Sequence, residues 1–351
     1  GYPKMTAIPE SQKPDLVRLI DESHEQREEK PRPHMGCSTL GHHCERYLWL
    51  SFHWSVPEKF SGRMLRLFRR GHNEESTVVA DLRAAGLHIK DTGSSQARVD
   101  FGNHVSGSID GIIESGVPES PDAEHVLEIK THSDKSFKEL SAKGVQSAKP
   151  MHWAQMQVYM LGRKVARALY VAVNKNDDSL YVERVKINRE AAEHLVARGH
   201  RIVSSARMPE PCINASPDWY QCKFCPAYKV CHQGEPVRQV NCRTCAHSTA
   251  ENDGTWSCQR WGATIPTDHQ YAGCDSHVIH PDMTPWKIDE SASTEHVAAW
   301  IIDGYTLLNG NPEDGENVFT TSELLANLEA SKSGDKVLAD IRKSFDARVI
   351  G

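Results

Sequence analysis

Val105-Ser-Gly-Ser-Ile-Asp-Gly-Ile-Ile-Glu114 and His125-Val-Leu-Glu-Ile-Lys-Thr131 are the two stretches on which the fold turns. Both are short, rich in apolar and β-branched residues, and broken by single polar side chains, the composition of strands buried on at least one face. Residues two apart on a strand project to the same side, so Glu128 and Lys130 point together while Leu127 and Ile129 face the core. The other stretch carries Asp110 within Gly107-Ser-Ile-Asp-Gly111. Asp110 and Glu128 supply hard oxygen ligands for Mg²⁺ or Mn²⁺. Such an ion lowers the pKa of bound water and offsets charge that builds on a phosphate. Lys130 then orients that water or neutralises the transition state.

On the N-terminal side, residues 63–85 predict a helix. Leu65, Phe68, His72, Glu75, Val79 and Leu82 share one face at 3-4-3-4-3 spacing, and Gly86 ends it. A carboxylate in an apolar stripe is costly unless a cation meets it, so Glu75, with His72 one turn earlier, is a candidate extra ligand pair. Strands are expected at 87–92 and 97–101. On the C-terminal side, a helix is expected over 151–165, after Pro150, with Gln155 and Tyr159 one turn apart on one face. There they can hydrogen-bond phosphates or Lys130. A hairpin over 168–174 and 180–187, turned through Asn176-Asp177-Asp178, and a helix from Arg189 follow. The order predicts a mixed α/β core, a central sheet flanked by helices.

The chain has 351 residues, which at roughly 150 per domain allows two domains or one large domain with an appendage. A charged fraction of 25% and a hydrophobic fraction of 38% describe a globular protein. The net charge of −6 excludes a generally basic nucleic-acid coat, so any such binding must be local. Arg63, Arg66, Arg69 and Arg70 start the main helix, and Lys135, Lys138, Lys143 and Lys149 fill an expected loop after Glu128-Ile-Lys130. Together they predict a phosphate-tracking groove. No apolar run approaches the roughly 20 residues of a membrane span, and no apolar signal region opens the chain, which points to the cytoplasm. The expected domains are a polar lead-in at 1–33, a core at 34–235, a cysteine-rich module at 236–286 and a helical tail at 287–351. The lead-in holds one short helix within 16–29, and the tail has helices near 295–308 and 323–345.

Ten cysteines without an export signal read as metal ligands rather than disulfides. Cys222-x2-Cys225-x5-Cys231 lacks a fourth ligand, and four thiolates hold either an iron–sulfur cluster or tetrahedral zinc. Cys242-x2-Cys245-x12-Cys258-x15-Cys274, with an Asp253-Gly254 hairpin turn inside it, resembles a zinc-ribbon-like module for Zn²⁺. His247, His269 or His277 could replace one thiolate there.

Gly71-His-Asn-Glu-Glu75, Gly107-Ser-Ile-Asp-Gly111, Glu128-Ile-Lys130 and Gln155-Met-Gln-Val-Tyr159 together resemble the PD-(D/E)xK nuclease superfamily, in its RecB-type exonuclease branch. The resemblance covers about residues 37–232, and the wording of several segments is similar to nucleases of tailed bacteriophages. It implies metal-dependent cleavage of DNA. His72, Glu75, Asp110, Glu128 and Ile129 would lie at the metal, and Lys130, Gln155 and Tyr159 would complete the catalytic set. Cys44, ahead of Glu-Arg-Tyr-Leu-Trp-Leu, with the three late cysteines resembles the iron–sulfur subset of these nucleases, such as AddB and the CRISPR adaptation nucleases. There Cys44, Cys222, Cys225 and Cys231 would hold a [4Fe–4S] cluster, with Cys37 the rival early ligand. The implied activity is a DNA exonuclease acting on single strands or duplex ends in phage recombination, replication or DNA degradation, with a phage recombination or replication protein as partner. A structure-specific endonuclease and a non-catalytic DNA-binding or assembly module are the alternatives.

Overall fold

The computed structural model describes residues 15–27, 30–212 and 216–332. The chain divides into two interleaved compact units, one of Gly1–Pro31, Glu58–Val99 and Gly107–Ala192, the other of Arg32–Pro57, Asp100–Ser106 and Glu193–Gly351. The boundary expected at residue 34 is therefore redrawn, and residues 32–57 group with the C-terminal half.

The first unit holds helices α1 (Asp15–Glu25), α2 (Gly62–Ala84), α3 (Asp134–Ala148) and α4 (Pro150–Arg163). Its sheet is built from β1 (His88–Lys90), β2 (Gly111–Ser115), β3 (His125–His132), β4 (Arg167–Asn174) and β5 (Leu180–Lys186), in the order β1-β2-β3-β4-β5. Neighbours are antiparallel except β3 and β4, which are parallel. A parallel pair needs a long crossover, and α3 and α4 supply it. Val78 and Val79 of α2 bury against Ile113, Leu127, Ile129 and Val171. Glu128 and Lys130, on the alternate positions of β3, face the opposite side, where α4 packs. This is the mixed α/β class expected, a sheet flanked by helices.

Three expectations for this unit change. The run 105–114 is not one strand. It breaks into Val105–Ser108 and Gly111–Ser115 with Asp110 at the break. A Cβ on Gly111 would stand 3.0 Å from Thr92 and 3.3 Å from Leu127, so a larger residue at this re-entry would have to push those side chains aside. The segment expected as a lysine-rich loop is helix α3, bent where Gly144 takes a φ of 74°. On it Lys138 pairs with Asp134 at 2.8 Å and Lys143 with Glu139 at 3.1 Å, four residues apart in each case. The apolar stripe of α2 is buried only toward its C-terminal end: Phe68 is 47% exposed and the His72 side chain 75% exposed, because the apolar core takes only Val78, Val79 and Leu82 from this helix.

In the second unit, helix Glu45–Phe52 starts at Cys44, whose sulfur accepts a hydrogen bond from the Tyr47 amide at 3.5 Å. Strands Ser248–Ala250, Trp256–Cys258 and Ala263–Thr264 form a small antiparallel sheet, the first two turned through Gly254 at φ 88°. The helix expected near 295–308 is instead part of a four-stranded sheet of Lys287–Ile288, Ala298–Ile302, Tyr305–Asn309 and Val318–Phe319. Ala298-Ala-Trp-Ile-Ile302 is a strand run, and Asp303 and Gly304 take φ values of 51° and 83°, the left-handed pair of a tight hairpin. Of the second expected tail helix, Thr321–Lys332 is observed, and residues 333–345 lie outside the described residues.

Arg243 is the centre of this unit. It is 2% exposed and lies 3.7 Å from the Trp54 ring centroid, with Trp256 at 4.7 Å and Phe52 at 5.1 Å. Its guanidinium donates to the carbonyls of Phe52 and Pro33 and to the side chain of Gln270. This is the physical reason residues 32–57 belong with the C-terminal half: their carbonyls and rings satisfy a cation that comes from the cysteine-rich module.

Candidate active site

β3 carries Glu128 and Lys130, the break before β2 carries Asp110, α4 carries Gln155 and Tyr159, and α2 carries His72 and Glu75. Glu128 is fully buried. Its Oε2 accepts from Gln155 Nε2 at 3.1 Å, and Gln155 Nε2 also donates to the Tyr159 hydroxyl at 3.4 Å. Glu128 Oε1 meets the Lys130 ammonium and no other hydrogen-bonding group among the described residues. Lys130 Nζ also lies 3.8 Å from Asp110 Oδ2 and donates to the Ile129 carbonyl at 3.2 Å. Asp110 Oδ2 accepts from the Ile129 amide at 3.0 Å. One ammonium thus stands among the oxygens of Glu128, Asp110 and Ile129. Ile129 itself is 3% exposed, so only its main chain can face a cation.

Burial pushes the Glu128 carboxyl up to about 8, with Lys130 pulling it down and Asp110 and Glu75 adding to the rise. Burial likewise raises Glu75, and Asp110 adds to it. Lys130 goes the other way from an isolated buried lysine: burial opposes its charge, but Glu128 and then Asp110 hold it protonated above the ordinary lysine range. Three carboxyl groups crowd a single monocation, and their raised proton affinity shows oxygens short of positive charge, which a hard divalent ion would supply in place of protons. His72 Nδ1 stands 3.5 Å from Glu75 Oε2, on the exposed side of the helix. Among the described residues, no group of three or more His, Cys, Asp or Glu side chains is arranged to hold a metal ion as it stands.

The cysteines come together in two groups. Cys44 joins Cys222, Cys225 and Cys231, and a fifth thiol, Cys212, joins them without having been expected. Cys212 hydrogen-bonds both Cys44 and Cys222, and burial followed by these two thiols pushes it up to about 11. No spacing motif includes Cys212, so only its approach in three dimensions reveals it. Burial raises Cys231 too, opposed by the Arg46 guanidinium, which hydrogen-bonds its sulfur. The second group, Cys242, Cys245, Cys258 and Cys274, lines a cavity of about 330 Å³. Burial raises Cys242 to about 11 and Cys245 to about 12, while main-chain hydrogen bonds from Gly273 to Cys242, and from His247 and Val278 to Cys245, favour the thiolates. His277 is unsuited to replace a thiolate, since its two nitrogens meet Thr321 at 2.8 Å and Thr244 at 3.0 Å. His247 Nε2 is buried without a hydrogen-bond partner.

Of the basic residues, Arg63, Arg66, Arg69 and Arg70 of α2 line a surface recess of about 420 Å³ together with Leu67 and Asn73. Arg66 is paired with Asp21, and Arg70 donates to the Lys175 carbonyl at 3.2 Å.

Fold and site together define a mixed α/β domain with a carboxylate–lysine centre on one face of its sheet, from the middle of β3 and the break before β2. No family model and no curated protein matches the chain. Solved structures similar to it include SSO0001, at 15% identity and a TM-score of 0.38 over 62% of this chain and 96% of that one. An alkaline exonuclease from Laribacter hongkongensis follows at 15% identity and 0.34, over 53% of this chain and 90% of that one. A phage-related exonuclease from Haemophilus somnus stands at 17% identity and 0.32, over 48% of this chain and 91% of that one. At these identities and scores, what this chain does has to be inferred from its own residues.

Proposed function

We propose that the chain is a metal-dependent DNA exonuclease of the RecB-type PD-(D/E)xK kind. The observation that carries this is the Lys130 ammonium drawn in among the oxygens of Glu128, Asp110 and the Ile129 carbonyl. Those oxygens suit Mg²⁺ or Mn²⁺, which when bound would supply an activated water and a positive charge at the scissile phosphate. Glu75 adds a further carboxylate to the cluster, with His72 beside it. Gln155 fixes the orientation of Glu128 through its second oxygen, and Tyr159 steadies Gln155. Lys130 keeps its proton, so it serves as a fixed cation facing the charge that develops on phosphate oxygens rather than as a base. The setting in phage recombination, replication or DNA degradation, with a phage protein as partner and the host cytoplasm as location, rests on the sequence resemblance.

The test uses end-labelled linear DNA and covalently closed circles with Mg²⁺ or Mn²⁺. Linear DNA should shorten from its ends while circles stay intact. Nicked circles would make the enzyme an endonuclease, and no cleavage of either would leave a binding or assembly module.

The two thiol groups belong to the same proposal. Cys44, Cys222, Cys225 and Cys231 would hold a [4Fe–4S] cluster, and the thiols of Cys242, Cys245, Cys258 and Cys274 a zinc ion. Support comes from the approach of Cys44 to the late cysteines and from the amides that donate to Cys242 and Cys245. Protein purified without oxygen should be brown and contain about four irons and about one zinc per chain. A colourless preparation with two zincs would overturn the iron assignment and leave the nuclease reading intact.

A further inference from the structure

Tyr170, on β4, holds its hydroxyl between two imidazoles, 2.9 Å from His132 Nε2 on β3 and 2.8 Å from His152 Nδ1 on α4. His132 closes in turn on Ser136 of α3, with Nδ1 3.0 Å from Oγ. A hydroxyl has one proton, so it donates to one imidazole and accepts from the other, and each ring is held in one tautomer. Both rings are neutral. Burial is the first cause in each case, holding His132 near 4 and His152 near 3, with Lys130 among the charges that oppose a second cation.

Register places this chain of hydrogen bonds beside the acidic site. Tyr170 is the cross-strand partner of Glu128, and His132 lies two residues beyond Lys130 on the same face of β3. On α4, His152, Gln155 and Tyr159 are spaced i, i+3 and i+7, along one face. The bond at His152 therefore pins α4 one turn before Gln155, the residue that meets Glu128. His132, Tyr170 and His152 sense the charges of the centre, Lys130 on both rings and Glu128 on the phenol, but the hydrogen bond that joins them to Gln155's helix is the one at His152.

We propose that Ser136, His132, Tyr170 and His152 form a positioning chain that holds Gln155 on Glu128 and so sets the affinity of the carboxylate centre for its divalent cation. This rests on the metal-dependent reading above. A linked hydrogen-bond chain around the buried Tyr170 hydroxyl favours one geometry, because a shift of α4 takes His152 Nδ1 off that hydroxyl.

The experiment measures Mn²⁺ affinity of the full chain by titration calorimetry without DNA, then kcat and KM on end-labelled DNA. Tyr170→Phe should raise the Mn²⁺ Kd about tenfold and lower kcat by a similar factor, the usual scale for a group that orients a ligand. KM should stay within about twofold. Gln155→Ala should match it, and the double variant should be no worse than Gln155→Ala alone, because both act through one contact. His152→Gln, which can still donate, should recover most of the affinity that His152→Leu loses. If Tyr170→Phe does not fold, His152→Leu with Gln155→Ala completes the same cycle. Unchanged Mn²⁺ affinity with a lowered Tm, or effects that multiply in the double variant, would overturn the inference while wild-type cleavage leaves the nuclease reading standing. A wild-type protein that neither binds Mn²⁺ nor cuts DNA would remove both.

Discussion

Each compact unit draws a positive charge inward, Lys130 half-buried in the first and Arg243 fully buried in the second, and they treat it differently. In the first, Lys130 faces Glu128 and Asp110, and Glu128 Oε1 has no hydrogen-bonding neighbour besides that ammonium. In the second, Arg243 meets no carboxylate among the described residues, and its fork is satisfied by two carbonyls, an amide oxygen and aromatic faces. Burial lowers Arg243 to about 9, which still leaves it charged at neutral pH. A buried charge kept for structure is held by fixed acceptors on each of its three nitrogens. A buried charge kept for chemistry is left in a site with surplus negative charge and an under-satisfied oxygen, ready to exchange neighbours when a ligand arrives.

Substitution at the acidic site gives the largest effect by which this contrast can be broken. Asp110→Ala, Glu128→Ala and Lys130→Ala should each lower the cleavage rate at least about a hundredfold, the scale of losing a key electrostatic group. Each should stay folded by circular dichroism. Near-wild-type activity in any of the three would remove that residue from the centre.

Arg243→Met should do the opposite. It removes three hydrogen bonds and the cation–π contacts and leaves the Phe52 carbonyl and the Gln270 amide oxygen without this donor, which costs about 3 kcal/mol. Urea unfolding measures this, while the rate per folded molecule stays within about twofold. Arg243→Lys should recover little, because an ammonium cannot reproduce the planar fork. A stable Arg243→Met variant would show that the aromatic cage, not the cation, holds the module to residues 32–57.

The smallest effect is in pH. Burial holds His53 near 3 and His277 near 4 in the folded chain, against 6.5 when unfolded. Their folded values are depressed, so the unfolded chain takes protons first as pH falls below about 6.5. The stability they confer is complete above that pH and is lost on the way down. Between pH 6.5 and 5 this amounts to about 2 kcal/mol for each histidine at most. Glu128 has the opposite sign: raised to about 8, it binds a proton more readily folded than unfolded, so acid relieves the cost of burying it. Tm should fall from pH 7 to pH 5, and Glu128→Gln should steepen the fall by removing the opposing group. A Tm flat across that range in both proteins would show that these histidines are not held neutral.

Much of the first unit was legible in local chemistry. The period-2 alternation of His125 to Thr131 put Glu128 and Lys130 on one face and Leu127 and Ile129 on the other, and the sheet keeps that division. The helix over 62–84 follows its sequence pattern closely, and so does the Asp253-Gly254 turn, because turn and helix preferences act over a few residues. Only the helix expected near 295–308 gives way, to the Ala298-Ala-Trp-Ile-Ile302 strand whose local flag is the Asp303-Gly304 turn, while Thr321–Lys332 is helical as expected.

What local pattern determined, then, was the element type and the pairing of acid and base on β3. What only the tertiary structure decided was who meets whom across long separations. Period and spacing cannot say that α2 leaves Phe68 and His72 outside the apolar core, that Cys212 reaches Cys44, or that Arg243 finds the carbonyls of Pro33 and Phe52. The physical reason is the same in each case. Desolvation depends on every element packed around a group, and the elements that bury these side chains lie tens to hundreds of residues away in the chain.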